Sequence, residues 1–150
     1  MHETYEDIRP GETVELDTYA VTREEVISFA ESYDPQPFHI SPDHDAPFEG
    51  VIASGWHTAA MTMRLLVEGY LLDSGAVGSP GLDGLRWLEP VRPGDVLSAT
   101  VTCSEKEPWD DSRGLISQEI ETYNQDDETV MWMDAMVLFR RQGDTDRRTP

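Results

Sequence analysis

From residue 34 to residue 39 the chain reads Asp-Pro-Gln-Pro-Phe-His. A carboxyl and an imidazole stand five residues apart on a segment stiffened by Pro35 and Pro37. An unperturbed imidazole titrates at about pH 6.5, so His39 can take a proton at neutral pH and Asp34 can supply the matching acid. Together the two could act on one water. A plainer assignment fits the same residues, with Asp34 as a cap or turn residue and His39 as a packed core histidine. A second group is Ala53-Ser-Gly-Trp-His57, which precedes a run of helix formers. The first amides of a helix have no intrahelical partner and carry partial positive charge. At Gly55 no side chain blocks the approach of an oxygen, which makes its N–H a candidate oxyanion donor with Ser54 and Trp56 beside it. Gly55 could equally serve only the backbone. His57, in the first helical turn, reads more readily as packing than as chemistry, and His44, among Asp43, Asp45 and Pro47, reads as surface. No HExxH, cysteine pair or acidic ladder suggests a metal site, and no glycine-rich phosphate loop or dinucleotide fingerprint is present.

The elements that must position these groups are legible in the hydrophobic pattern. Residues 12–20 alternate, with Val14, Leu16 and Ala20 on one side, and predict a strand. Thr22-Arg-Glu-Glu25 has the capping-box pattern, and Val26, Phe29, Ala30 and Tyr33 follow at helical spacing. That helix must stop near Asp34, because Pro35 and Pro37 disfavour helix in the residues before them. Residues 34–50 read as an irregular loop, and a loop of that length in a small domain is usually functional. Residues 56–72 are apolar nearly all round and predict a buried central helix. Residues 74–81 (SGAVGSPG) read as a link. Strands follow at 82–88, 96–103, 115–123 and 130–141, with a Pro90-Val-Arg-Pro-Gly-Asp95 turn and a polar reversal at 124–129. With no crossover helices between them, the late strands should be antiparallel. The expectation is an α+β fold, one domain over residues 1–150, with a sheet curled around a buried helix and a polar, frayed tail at 142–150. Such a sheet leaves an open edge or face, for which dimerisation is the usual remedy.

Composition narrows the function classes. Thirty Asp and Glu oppose eleven Lys and Arg, for a net charge of −19, and Lys106 is the only lysine. Phosphate neutralisation needs clustered basic side chains, so nucleic-acid binding is disfavoured, and anionic membranes repel such a surface. The longest run without a charged side chain, Gly50–Met63, is fourteen residues, too short to span a bilayer. The opening MHETYEDIRPGE has neither a basic start nor an apolar run, which predicts no secretory signal and a cytoplasmic location. Cys103 has no second cysteine to pair with and sits in an alternating segment, as core filler does. Abundant carboxylates with almost no lysine suggest a halophilic source, where concentrated salt shrinks the Debye length to about 3 Å and screens the repulsion. Equal stability in dilute and molar salt would count against that expectation.

Three motifs in order, Asp34-Pro-Gln-Pro-Phe-His39, Phe48-Glu-Gly-Val-Ile-Ala-Ser-Gly55 and Pro90-Val-Arg-Pro-Gly-Asp95, resemble the MaoC-like dehydratases, which include the (R)-specific enoyl-CoA hydratases. The resemblance runs from about Ile8 to Arg141. It implies a hotdog fold, a homodimer or higher oligomer, acyl-CoA bound in a tunnel near the dimer interface, and no metal or redox cofactor. It also implies that Asp34 and His39 activate water for attack on C3 of a trans-2-enoyl thioester, that Asp34 delivers a proton to C2, and that the Gly55 amide binds the thioester carbonyl. The product is the (R)-3-hydroxyacyl thioester, and the reverse dehydration uses the same groups. The family pattern is departed from at several positions. Tyr33 stands where Gly is usual, and Gln36, with Ser54, Gly55 and Trp56 a candidate oxyanion or substrate contact, stands where Asn is usual. Met63, with Thr58 and Thr62 nearby, occupies a position where some hydratases carry a hydroxyl. Trp56 and His57 replace small or aliphatic residues, and Trp56 is expected to narrow the tunnel toward short or branched acyl chains. Arg86, Arg92 and Arg140 are the candidate partners for the CoA polyanion. Three other readings share this fold: an acyl-CoA thioesterase, a non-catalytic acyl-thioester-binding module, and an inactive partner of a related subunit.

Overall fold

A computed structural model describes residues 3–143. Most of the tail expected to fray lies outside that range. Five strands form one antiparallel sheet in the order β1-β3-β4-β5-β2, where β1 is Thr13–Ala20, β2 Ala76–Trp87, β3 Val96–Pro108, β4 Arg113–Tyr123 and β5 Thr129–Arg140. Among the described residues the α-helices are α1 (Arg23–Tyr33), α2 (Pro37–Ile40) and α3 (Gly55–Leu66), the last continuing as a wider π-type turn over Val67–Leu71.

α1 starts where its cap is written: the Thr22 hydroxyl accepts a hydrogen bond from the Glu25 amide at 3.2 Å, an N-cap worth about 1 kcal/mol. It ends at Tyr33, directly before Asp34-Pro35. Val26 and Ala30 are fully buried, whereas Tyr33 is 77% exposed, so the apolar stripe is narrower than its spacing suggested. Within the segment read as irregular, Pro37 opens the short turn α2, since a proline at the first helical position loses no hydrogen bond there.

α3 lies across the sheet. Met61, Leu65 and Leu66 pack with Leu97, Val101, Ile120, Met131 and Met133 into the main core. A buried polar link adds to this: the Thr62 hydroxyl donates to the Thr58 carbonyl (2.9 Å) and meets the Thr122 hydroxyl at 2.8 Å. The helix is not buried all round, as its composition had implied. The sheet covers one face, and Trp56 and Met63 project from the flank it leaves open. A second cluster gathers Ile8, Cys103, Ile116, Val137 and Phe139, which puts Cys103 in the core.

The link expected at 74–81 is strand from Ala76 onward. β2 is an edge strand, where a proline costs no ladder bond, and its pairing with β5 slips at three places. Gly78 (φ 150°) and Gly81 (φ 148°) take backbone conformations that L side chains rarely adopt, which lets the chain bulge and resume pairing. The alternation read in β5 is present, with Met131, Met133, Ala135, Val137 and Phe139 all buried. The result is the hotdog arrangement, a curled antiparallel sheet against one central helix.

Candidate functional site

The end of α1, the turn α2, the start of α3 and the end of β2 meet at one place. Two backbone bonds fasten them. The Ile52 amide donates to the Phe38 carbonyl (3.0 Å), and the Ala53 amide donates to the Val91 carbonyl (2.8 Å). The Pro90–Asp95 turn that supplies this acceptor is itself closed, because the Asp95 carboxylate accepts from the Arg92 amide at 2.9 Å and the Asp95 amide donates to the Arg92 carbonyl at 3.0 Å.

His39 is 5% exposed. Its Nδ1 lies 2.7 Å from the Ile52 carbonyl oxygen. A carbonyl only accepts, so Nδ1 carries the proton, and the neutral ring presents a lone pair at Nε2. That nitrogen faces Asp34 Oδ2 at 3.2 Å. Two acceptors held this close share a proton whenever either has one.

Asp34 is supported on both oxygens. The Ser54 hydroxyl donates to Oδ2 (2.7 Å) and the Gln36 amide donates to Oδ1 (2.6 Å). Burial pushes the carboxyl pKa up, but these two hydrogen bonds and the neighbouring His39 outweigh it and hold the group below its ordinary value. Asp34 is therefore a carboxylate at neutral pH. Ser54 and Gln36, singled out in the sequence as possible substrate contacts, both spend their polar groups on Asp34.

Gly55 is the first residue of α3, so its amide has no intrahelical acceptor. His39, Gly55, Thr58, Trp87, Leu88 and Val91 line a cavity of about 250 Å³. Trp56 does not line it. Its ring, 60% exposed, stands behind Trp87 in an edge-to-face pair with centroids 5.0 Å apart. The wall expected of Trp56 is therefore made by Trp87, a residue the sequence reading passed over. The signal was faint, a large aromatic at a strand end just before the Pro90–Asp95 turn.

The other candidates sort by position. His57 packs its ring flat on Phe29, with centroids 4.7 Å apart, and does not line the cavity that holds His39. His44 bridges its own loop, its Nε2 donating to the Gly50 carbonyl (2.7 Å) while Nδ1 accepts from the Ala46 amide (3.2 Å). Thr62 is spent on the link between helix and sheet, and Met63 is exposed. Of the three arginines, Arg92 borders a shallow depression that shares Glu89 and Pro90 with the cavity. Arg86 is exposed on the edge strand. Arg140 lies at the far end of β5 from Met131, the residue paired with Trp87. Among the described residues no helix is long and apolar enough to cross a membrane.

Comparison with known proteins agrees with this architecture. The MaoC-like dehydratase of Rhodospirillum rubrum superposes with a TM-score of 0.85 at 35% identity, over 93% of this chain and 97% of that one. An (R)-hydratase of Pseudomonas aeruginosa shares the fold, with a TM-score of 0.72 at 21% identity, over 94% of this chain and 88% of that one. The uncharacterized protein YdeM of Bacillus subtilis is 26% identical over 133 residues, 87% of this chain and 94% of its own length. The MaoC like domain matches residues 6–125, and the chain belongs to that family.

Proposed function

We propose that this protein hydrates trans-2-enoyl-CoA thioesters to (R)-3-hydroxyacyl-CoA, or runs the reverse dehydration. The observation that carries the reading is the 3.2 Å approach of His39 Nε2 to Asp34 Oδ2, with Nδ1 pinned on Ile52, beside the Gly55 amide in one cavity.

The pair handles one proton. A water at the pair gives its proton to the Nε2 lone pair while its oxygen forms a bond to C3. The C2–C3 π electrons move toward the thioester carbonyl, and the Gly55 amide stabilises the oxyanion. The imidazolium returns the proton through Asp34 to C2. One water is consumed, with hydroxyl on C3 and hydrogen on C2. The depressed Asp34 pKa fits this relay, because the carboxylate cannot store a proton in the resting state yet gives one up readily. The initial expectation of Asp34 as the C2 donor is kept, with His39 as its source.

The reading includes a homodimer, since the edge strand β2 exposes Val77 and Leu82, Leu82 beside Met63 of α3, with exposed Leu88 just past its end, and a second copy would cover them. Arg92 is the arginine best sited for CoA.

The test is loss of enoyl absorbance with crotonyl-CoA in molar KCl. Asp34→Asn and His39→Ala should each lower kcat/KM by about 10²–10⁴-fold. Unchanged turnover in either variant overturns the reading, and release of free CoA instead would favour the thioesterase.

A further inference from the structure

Gly55 and Trp87 touch in a way that requires the glycine. A Cβ built on Gly55 would lie 2.8 Å from Trp87 Nε1 and closer still to Cδ2 and Cε2. No real side chain fits there, so the indole rests on the bare Cα of a residue that lines the cavity. The ring is held on two sides. Its strand end is pinned because the Leu88 amide donates to the Val130 carbonyl at 2.8 Å, and its outer side meets Trp56 edge to face.

A second cavity begins further along the same two elements. Ala59, Met63 and Leu66 of α3 face Gly78 and Leu82 of β2 across an apolar groove of about 470 Å³, floored by Met133 and Ala135. The groove and the cavity holding His39 have no lining residue in common. The Gly55–Trp87 contact stands where the helix and the edge strand pass from one to the other. The groove could hold a hydrocarbon chain, and Trp87 lines the cavity but not the groove.

We propose that Trp87 is the specificity-determining residue for acyl length: its indole, seated on Gly55, closes the cavity to chains beyond about four carbons, and removing it joins the cavity to the apolar groove. The inference rests on the acyl-thioester reading of the site. The few methylenes that fit account for the selectivity, since each methylene gained or lost in an apolar pocket changes preference by about tenfold or more.

The experiment pairs turnover with binding. Kinetics use crotonyl-CoA and trans-2-decenoyl-CoA, and dissociation constants are measured for butyryl-CoA and decanoyl-CoA. Both are run on wild type, Trp87→Ala and Trp87→Phe, with melting curves to show that each is folded. Wild type should favour the four-carbon chain in both assays. Trp87→Ala should shift the C4-to-C10 ratio toward C10 by about tenfold or more, with Trp87→Phe between; if the alanine variant does not fold, the phenylalanine variant decides. An unchanged ratio with turnover intact overturns this inference alone. Absence of turnover, with length preference in binding and its shift preserved, overturns hydration alone. No acyl-CoA binding at any length overturns both. A further check needs no substrate: Gly55→Ala should lower the melting temperature in wild type and much less in Trp87→Ala. An equal drop in both would place the indole elsewhere.

Discussion

Two buried histidines bracket the entry to the central helix. His39 is 5% exposed and His57 6%, so burial alone does not tell them apart. Their ring nitrogens do. His39 has a backbone acceptor on Nδ1 and a carboxylate facing Nε2. The Nδ1 of His57 is buried without a hydrogen-bond partner, and its ring is stacked on Phe29. Burial lowers its pKa, and Glu25 offsets this only in part. One histidine has its tautomer fixed and its lone pair aimed at a partner. The other is kept neutral by its surroundings and acts as a flat apolar plate. Proton chemistry needs a defined donor and acceptor at each nitrogen, and the protein provides that at one site only.

The contrast can be broken most directly by giving both positions the same ring. His39→Phe should lower crotonyl-CoA kcat/KM by about 10²–10⁴-fold, whereas His57→Phe, which preserves the stack on Phe29, should stay within about threefold of wild type. Comparable losses in the two would end the distinction. A smaller effect is expected at the support of the pair. Ser54→Ala removes a hydrogen bond that favours the charged carboxylate, so the Asp34 pKa should rise and the acid limb of the pH–rate profile should move to higher pH. Activity should fall about tenfold, the value of one hydrogen bond to a charged group. A stationary acid limb would show that Ser54 does not tune Asp34. The smallest effect concerns stability. His57 titrates at 6.5 unfolded and lower when folded, so its contribution is present above pH 6.5 and is lost as pH falls toward the folded value. On moving from pH 7.5 to 5.5, His57→Phe should lose less in Tm than wild type. Parallel losses would mean that His57 is not held neutral.

What could be read from residue types was the material that side-chain identity carries. Thr22 and Pro35 mark the ends of α1, the alternation in β5 marks its buried face, and Asp34 and His39 are made candidates by their spacing and given roles by the family resemblance. The rest depends on groups without such identity. The acceptor that fixes the His39 tautomer is a backbone carbonyl, at Ile52, and any residue there would supply it. Residues 76–81 are strand although they are rich in Gly, Ser and Pro, because an edge strand tolerates bulges that a central one does not. Trp56 and Trp87 are both large aromatics near the site by sequence. Which one forms the wall depends on the crossing of α3 and β2, a tertiary relation that no local pattern encodes.

β5 is the last strand among the described residues, yet it lies between β4 and β2. Until residues 129–140 have been made, β2 has no neighbour to pair with, and Trp87 has no strand to hold it against Gly55. The Asp34–His39 side of the cavity can form early from contiguous chain, but its opposite wall waits for β5. Assembly of the site is thus a late, long-range event of folding. A chain shortened by its final strand would lose the pocket even with every proton-handling residue in place.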